Sequence, residues 1–490
     1  MSEGTASAGS RFALPFRISA STGAAAAAIL LLALILRILG ARGELWLDEL
    51  WSLKLIDEVK ARHDLFWGLA VDNNHYLNTL YLYLVGADAP VLVQRGLSIA
   101  LGTATVAVAG LAMRRSGAAG MLGAMVLFAV SYPMVNYGSE ARGYAGLILM
   151  TLLALMLTES ATAGSKSDRR RLGLANLLGV LFQPIMVGGI VGLMAWSAWL
   201  SRPSGRPSAG AILSCVGTTA RTFSWTVRLL IPVAAILVFS VLHAEGYRIA
   251  GTLPFTVAGF VSGYGGMLHL LLGLPDAVPA WAALLIGAAF CAIGWHLTRR
   301  RAPQYAALYL IMLVGFPLAM FAARLPNILF PRYYLAPAIV FLLLLSDLFA
   351  VAWGRGGAMR LLGLALLAAI AIGNGSDAWL LLRDGRDQTA AAMQMVGGSG
   401  PVLVATDQDI RNRPIVEYFA KRLNLPITYV PITEICARNP QWLLSSSVDA
   451  EMPEKLDTSP VGCKKIFEKQ AAFPQWGLSG LPWTVYRAAP

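Results

Sequence analysis

Long apolar runs separated by short polar connections recur from residue 21 to about 377. The runs at 21–40, 90–111, 118–135, 143–160, 173–186, 187–200, 229–243, 278–296, 304–323, 333–351 and 361–377 predict about eleven membrane-spanning helices. A helix needs about 20 apolar residues to cross the hydrocarbon layer. The stretch 173–200 is divided in two because Pro184, Gly188 and Gly189 suit a turn. Basic clusters then test the alternation. Arg114-Arg115, Lys166 with Arg169-Arg170-Arg171, Arg202 with Arg206, Arg221 with Arg228, Arg299-Arg300-Arg301, and Arg355 with Arg360 all belong on the cytoplasmic side by the positive-inside rule. With the N-terminus inside, every cluster satisfies that rule if 253–273 is an external amphipathic or re-entrant segment rather than a span. The C-terminus then lies outside.

From about Asp384 the pattern changes. The stretches 401–407, 425–431 and 482–487 read as strands, and 415–423 reads as a helix. The expected organisation is a transmembrane domain over 1–383, with a first external loop at 41–89, and a small soluble α/β domain over 384–490. That domain faces an oxidising compartment, so Cys436 and Cys463 are expected to pair across a polar loop without a secondary-structure pattern.

Composition agrees with a bilayer protein. Charged residues are 13% of the chain, against roughly 25% in soluble proteins, and mean hydropathy is +0.61. The net charge of +12 falls largely in the short clusters between runs, which fits contact with anionic lipid. No aromatic residues interleave a basic patch on a soluble domain, so nucleic acid is not an expected partner. No nucleotide-binding fingerprint is present, and no zinc ligand set declares itself.

Four polar groups converge on the external side. Asp48 and Glu49 follow the first run, between Trp46 and Trp51. Their structural reading is favourable charge at a helix start, worth about 0.3–1 kcal/mol, but adjacent carboxylates beside hydrocarbon are costly without a partner or a task. Asp72, Asn73, Asn74 and His75 precede the second run. They form either a loop and helix start or a set that binds sugar and phosphate. Glu140 and Arg142 sit at an external turn, as a mutual ion pair or with Arg142 on an anionic substrate. Arg332, Tyr333 and Tyr334 either belong to an interfacial belt or complete the site. Together these types supply a carboxylate to accept a proton, arginines to neutralise phosphate, and amides to orient hydroxyls.

Trp46-Leu47-Asp48-Glu49, Asp72-Asn73-Asn74-His75, Tyr137 to Tyr144 and Arg332-Tyr333 resemble, in order and spacing, motifs of the GT-C superfamily of integral-membrane glycosyltransferases. The similarity is to the bacterial branch related to protein O-mannosyltransferases and aminoarabinose transferases, over roughly residues 20–350. The resemblance implies a GT-C fold in a bacterial inner membrane with the active site facing the periplasm. It implies an inverting transferase that takes a sugar from a polyprenyl-phosphate donor to an envelope glycan or glycolipid. Asp48 would be the general base, and Arg332, Arg142 and His75 would hold the donor phosphate. Glu49 and Asp72 would be acidic partners or ligands of a divalent cation, whose requirement stays open. Asn73, Asn74, Tyr333, Tyr334 and Glu140 would orient sugar or acceptor. The competing readings are a transporter or flippase for lipid-linked glycans, which predicts internal repeats and mid-membrane charges, and a non-catalytic envelope assembly component, which would tolerate Asp48→Asn.

Overall fold

The structure, a computed structural model, describes residues 19–57, 59, 65, 73–203, 208–243, 252–386, 388–397, 400–446, 452–457, 465–474 and 477–489. Its first helix, α1 (Ala20–Gly40), starts at Ser19, whose hydroxyl accepts the Thr22 amide at 3.2 Å. The external loop contributes α2 (Leu47–Asp57) and α3 (Tyr76–Val85). The bundle continues through α4 (Gly96–Met113), α5 (Gly117–Val130), α6 (Tyr132–Tyr137), α7 (Tyr144–Thr162), α8 (Lys166–Phe182) and α9 (Met186–Leu200). Then follow α10 (Ala209–Thr222), α11 (Ser224–His243), α12 (Val257–Leu272), α13 (Ala280–Thr298), α14 (Pro303–Ala322), α15 (Leu335–Arg355) and α16 (Gly357–Asp384). Helices α7 and α15 run through the middle of one continuous apolar core that extends from Ala33 to Ile370.

Eight helical stretches among the described residues are long and apolar enough to cross a membrane, against the eleven expected. The difference lies in the short runs. Helices α5, α8 and α9 have 14, 17 and 15 residues, and at 1.5 Å per residue they reach only about 21–26 Å. Helix α5 joins α4 in one apolar stretch, Gly96–Val130. The expected run 118–135 breaks at Ser131, two residues before Pro133, whose ring lacks the N–H needed to continue the helix and is tolerated only in the first turn of the next one. The buried Arg37 of α1 donates to the Phe128 and Met134 carbonyls at 3.1 and 3.5 Å, satisfying backbone groups that water does not reach. The segment expected to be external, 253–273, contains α12, a shorter apolar helix with one π turn at Val261–Gly265, packed against α13.

The C-terminal unit contains α17 (Thr389–Gly397), α18 (Asp409–Arg422) and six strands. The strands are β1 (Val402–Thr406), β2 (Ile427–Tyr429), β3 (Trp442–Ser445), β4 (Lys455–Asp457), β5 (Ile466–Phe473) and β6 (Trp483–Ala488). They form a mixed sheet in the order β2-β1-β3-β6-β5-β4. Strand β1 pairs in parallel with β2 and β3, and the remaining pairs are antiparallel. Sequence pattern missed β3, β4 and β5. Two of these, β3 and β4, lie in the stretch between Cys436 and Cys463 that was expected to carry no regular structure. Cys436 is disulfide-bonded. Its expected partner, Cys463, lies outside the described residues.

The sheet does not stand apart from the membrane unit. One apolar cluster joins Leu45, Leu50 and Leu53 of the first loop to Met393, Phe419 and Trp483 of the C-terminal unit. The second face of the sheet has its own small core around Leu443, Phe467 and Tyr486. An ion pair at 2.6 Å between Glu44 and Arg422 adds a polar tie across the same junction.

Candidate active site

Helix α2 turns Asp48 and Glu49 to opposite surroundings. Glu49 is fully buried, and Arg95, equally buried, binds it through two bonds of 2.8 and 2.6 Å. Its Oε1 also accepts the Ala141 amide at 2.6 Å, and its Oε2 accepts the Trp46 amide at 3.2 Å. The last bond closes the helix start in the manner of a capping box. Burial pushes the Glu49 carboxyl up, but Arg95, Arg386 and the Ala141 amide outweigh it and hold it below the ordinary value. Glu49 thus has both oxygens committed to the protein.

Asp48 keeps 22% of its side chain exposed and faces the cations. Its Oδ2 lies 2.8 Å from Arg142 and 3.7 Å from Arg332. Asn73 braces the arrangement: its amide nitrogen donates to the Asp48 carbonyl at 3.0 Å and to Ser52 at 3.2 Å, and its oxygen accepts from Arg142 at 2.8 Å. The Arg142 guanidinium also lies over the Tyr144 ring at 4.8 Å and the Trp46 ring at 5.8 Å. Such contacts favour a cation most where water is excluded. Burial lowers the Arg142 pKa, yet Asp48 and the neighbouring acids more than reverse this, so the net shift is upward.

The turn that carries Arg142 is held on several sides. The Ala141 carbonyl accepts from Asn78 at 2.8 Å, the Arg142 carbonyl accepts from Ser98 at 3.2 Å, and the Gly143 amide donates to His75 Nδ1 at 2.9 Å. His75 is 1% exposed, and its Nε2 lies 3.0 Å from the Gln183 amide group. Because Nδ1 accepts from the Gly143 amide, the proton of the neutral ring is on Nε2, and the Gln183 amide pairs with it when it turns its oxygen to that side. Burial first, then Arg142 and Arg332, push the His75 pKa well below its ordinary value, so the ring is neutral. Both nitrogens are used inside the protein.

The sequence-predicted residues therefore separate. Asp48, Asn73, Arg142 and Arg332 come together around one partly open point, with Tyr333 beside the Arg332 guanidinium. Asn74 and Glu140 are buried. Tyr334 is also buried, donates to the Ile328 carbonyl at 3.0 Å and stacks on Tyr264. Asp72 lies outside the described residues. Among the described residues, no three His, Cys, Asp or Glu side chains gather in a way that would hold a metal ion.

Sequence reading passed over Arg95 and Arg386, the two cations that hold the buried acids. Arg95 carried a signal, since a lone arginine inside the expected run 90–111 calls for an acidic partner. Arg386 lay where two units were expected to join, and nothing in the pattern marked it.

A separate cavity of about 290 Å³ opens at the opposite end of the bundle, between Arg114, Arg115, Glu159, Asp168 and Tyr305. None of the residues around Asp48 lines it. There Arg115 pairs with Asp347 at 2.8 Å and lies over the Tyr305 ring.

The fold and site define a multi-pass membrane protein with a charged cluster where its bundle meets a small α/β unit. No protein-family model matches the sequence. No curated protein matches it. Similar solved structures include ArnT from Cupriavidus metallidurans in the apo state, at 14% identity and a TM-score of 0.49, covering 96% of this chain and 98% of that one. ArnT bound to undecaprenyl phosphate gives 12% identity, a TM-score of 0.49 and the same coverage. The archaeal oligosaccharyltransferase AglB from Archaeoglobus fulgidus, in complex with an inhibitory peptide and a dolichol-phosphate, gives 13% identity and a TM-score of 0.43, covering 87% of this chain and 69% of that one.

Proposed function

We propose that the protein is a GT-C-type membrane glycosyltransferase that moves a sugar from a polyprenyl-phosphate donor to an envelope glycan or glycolipid on the periplasmic side of a bacterial inner membrane. The observation that carries this reading is the partly exposed Asp48 carboxylate beside two arginines. One carboxylate and two cations at a single point match the needs of glycosyl transfer from a phosphate.

In this reading the donor phosphate takes up Arg142 and Arg332 and draws Arg142 away from Asp48. The freed carboxylate accepts the proton of the acceptor hydroxyl. The hydroxyl oxygen forms its bond to the anomeric carbon while the bond to the phosphate oxygen breaks, and the configuration inverts. The leaving lipid phosphate gains negative charge, which the arginines stabilise without protonating it. Asn73 sets the Arg142 fork, and His75 supports the turn behind it rather than meeting the phosphate directly. Glu49 organises the start of α2, since Arg95 and two backbone amides engage its carboxylate.

Comparison of envelope glycans from wild-type and deletion strains tests the reading and names the sugar and acceptor together. The expected result is loss of one sugar, restored by the wild-type gene and not by Asp48→Asn. Identical glycans in both strains contradict it.

A further inference from the structure

The turn bearing Arg142 is gripped from the C-terminal side as well as from α2. Arg386, just after α16, is fully buried. Its guanidinium donates to the Asn136 side-chain oxygen at 2.8 Å, to the Asn136 carbonyl at 3.1 Å and to the Ser139 hydroxyl at 3.0 Å, and it lies 3.5 Å from Glu140. Ser479, in the loop before β6, adds contacts of 3.2 Å to Glu140 and 3.1 Å to Arg386. Meanwhile α2, which carries Asp48, rests its leucines on Met393, Phe419 and Trp483. Both members of the Asp48–Arg142 pair are therefore set by residues at the far end of the chain.

Stability alone is a poor account of this grip. Glu140 Oε1 and Arg386 Nε are buried without a hydrogen-bond partner. Burial first, with Glu49 and Asp48 adding to it, raises the Glu140 pKa despite the opposing pull of Arg386 and Arg142. A partly satisfied buried polar network is worse for stability than an apolar contact of the same shape. What a planar guanidinium supplies instead is direction, because its donors fix the orientation of the groups that accept from it.

We propose that Arg386, assisted by Ser479, is a positioning residue that sets Arg142 against Asp48, so that the C-terminal unit is a working part of the donor-phosphate site. This rests on the reading of Arg142 as a phosphate-binding group. Arg386 acts through the turn at 136–142 and does not touch the substrate.

Two measurements on the full-length protein in detergent test it. The first is amide hydrogen exchange, which needs no ligand. Arg386→Ala should raise exchange at residues 139–143 about tenfold, Arg386→Lys should fall between it and wild type, and Arg413→Ala, which breaks an exposed pair with Glu417, should leave these amides unchanged. Wild-type protection in Arg386→Ala overturns the proposal. Should that variant fail to insert, Ser479→Ala takes its place with an expected rise of about threefold, and wild-type protection there overturns the proposal equally.

The second measurement is binding of undecaprenyl phosphate. Arg142→Ala and Arg386→Ala should each weaken it about tenfold, and the double variant should bind no more weakly than Arg142→Ala alone. Non-additivity is the mark of two residues acting through one contact. Additive losses overturn the positioning role. Wild-type binding by Arg142→Ala would instead remove the phosphate reading of Arg142 and leave the positioning of the turn to be judged by exchange.

Discussion

Asp48 and Glu49 are neighbours in the chain, but one turn of α2 gives them different tasks. Glu49 is sealed against Arg95, and Asp48 looks onto Arg142 and Arg332 with part of its surface open. The consequences of substitution should differ in kind. Under the proposed mechanism Asp48→Asn removes the proton acceptor and should lower kcat by about 10²–10⁴-fold, the usual range for general-base loss, with a smaller fall in melting temperature than Glu49→Ala, because Asp48 is partly exposed and the asparagine still accepts a hydrogen bond from Arg142. Glu49→Ala strands a buried guanidinium and should cost about 3–5 kcal/mol of stability, seen as a lower melting temperature in detergent. Equal activity loss without destabilisation in both variants would contradict this division.

His75 carries a pH signature at the same scale. Its folded pKa is depressed, so the unfolded chain binds the extra proton first as pH falls. Its contribution to stability is complete above the ordinary histidine value near 6.5 and is lost as pH drops below it, by at most about 1.4 kcal/mol per pH unit. The melting temperature of wild type should therefore fall more between pH 7.5 and 5.5 than that of His75→Gln. Identical slopes would argue against a buried neutral ring.

At the scale of elements, the site depends on close approach between the Arg142 turn and the end of α8. A Cβ on Gly143 would lie 1.7 Å from the Phe182 carbonyl oxygen and 3.2 Å from the His75 side chain. Backbone cannot yield as a flexible side chain can. Gly143→Ala should push the turn away from α8, raise the donor KM and lower the melting temperature, and wild-type values for both would refute the contact. The continuous apolar runs that predict the long helices reflect the hydrocarbon layer rather than burial within the protein, so α1 and α13, largely uncovered by other helices, were as legible in sequence as the buried α15. Short elements were not. Strand β5, with Glu468, Lys469 and Gln470 in its middle, lacks an apolar alternation and takes its place by pairing with β6. The polar clusters of the site were also legible, because ionisable residues stand out beside hydrocarbon. Their division into open and sealed groups was not, since it depends on Arg95 and Arg386, which reach them from distant parts of the chain.

At the scale of the whole molecule, the basic clusters predict an orientation, and the junction between bundle and sheet offers a way to test it. Arg114, Arg115, Arg169 and Arg299 belong at the end of the bundle away from Asp48 by the positive-inside rule. An alkaline phosphatase fused after residue 489 should be active, and a fluorescent protein fused there should be dark; the reverse would invert the topology. The apolar cluster shared by Leu50 and Trp483 has a consequence for biogenesis. The helix bearing Asp48 is synthesised before most of the bundle, but the surface it rests on is made only after the bundle. At roughly 5–20 residues per second, the nascent chain spends tens of seconds inserted with its acidic helix unsupported. Under the proposed function, competence for transfer therefore arrives only once the C-terminal unit has been made and has crossed the membrane, so a chain that stalls before Trp483 should occupy the membrane without consuming lipid-linked sugar.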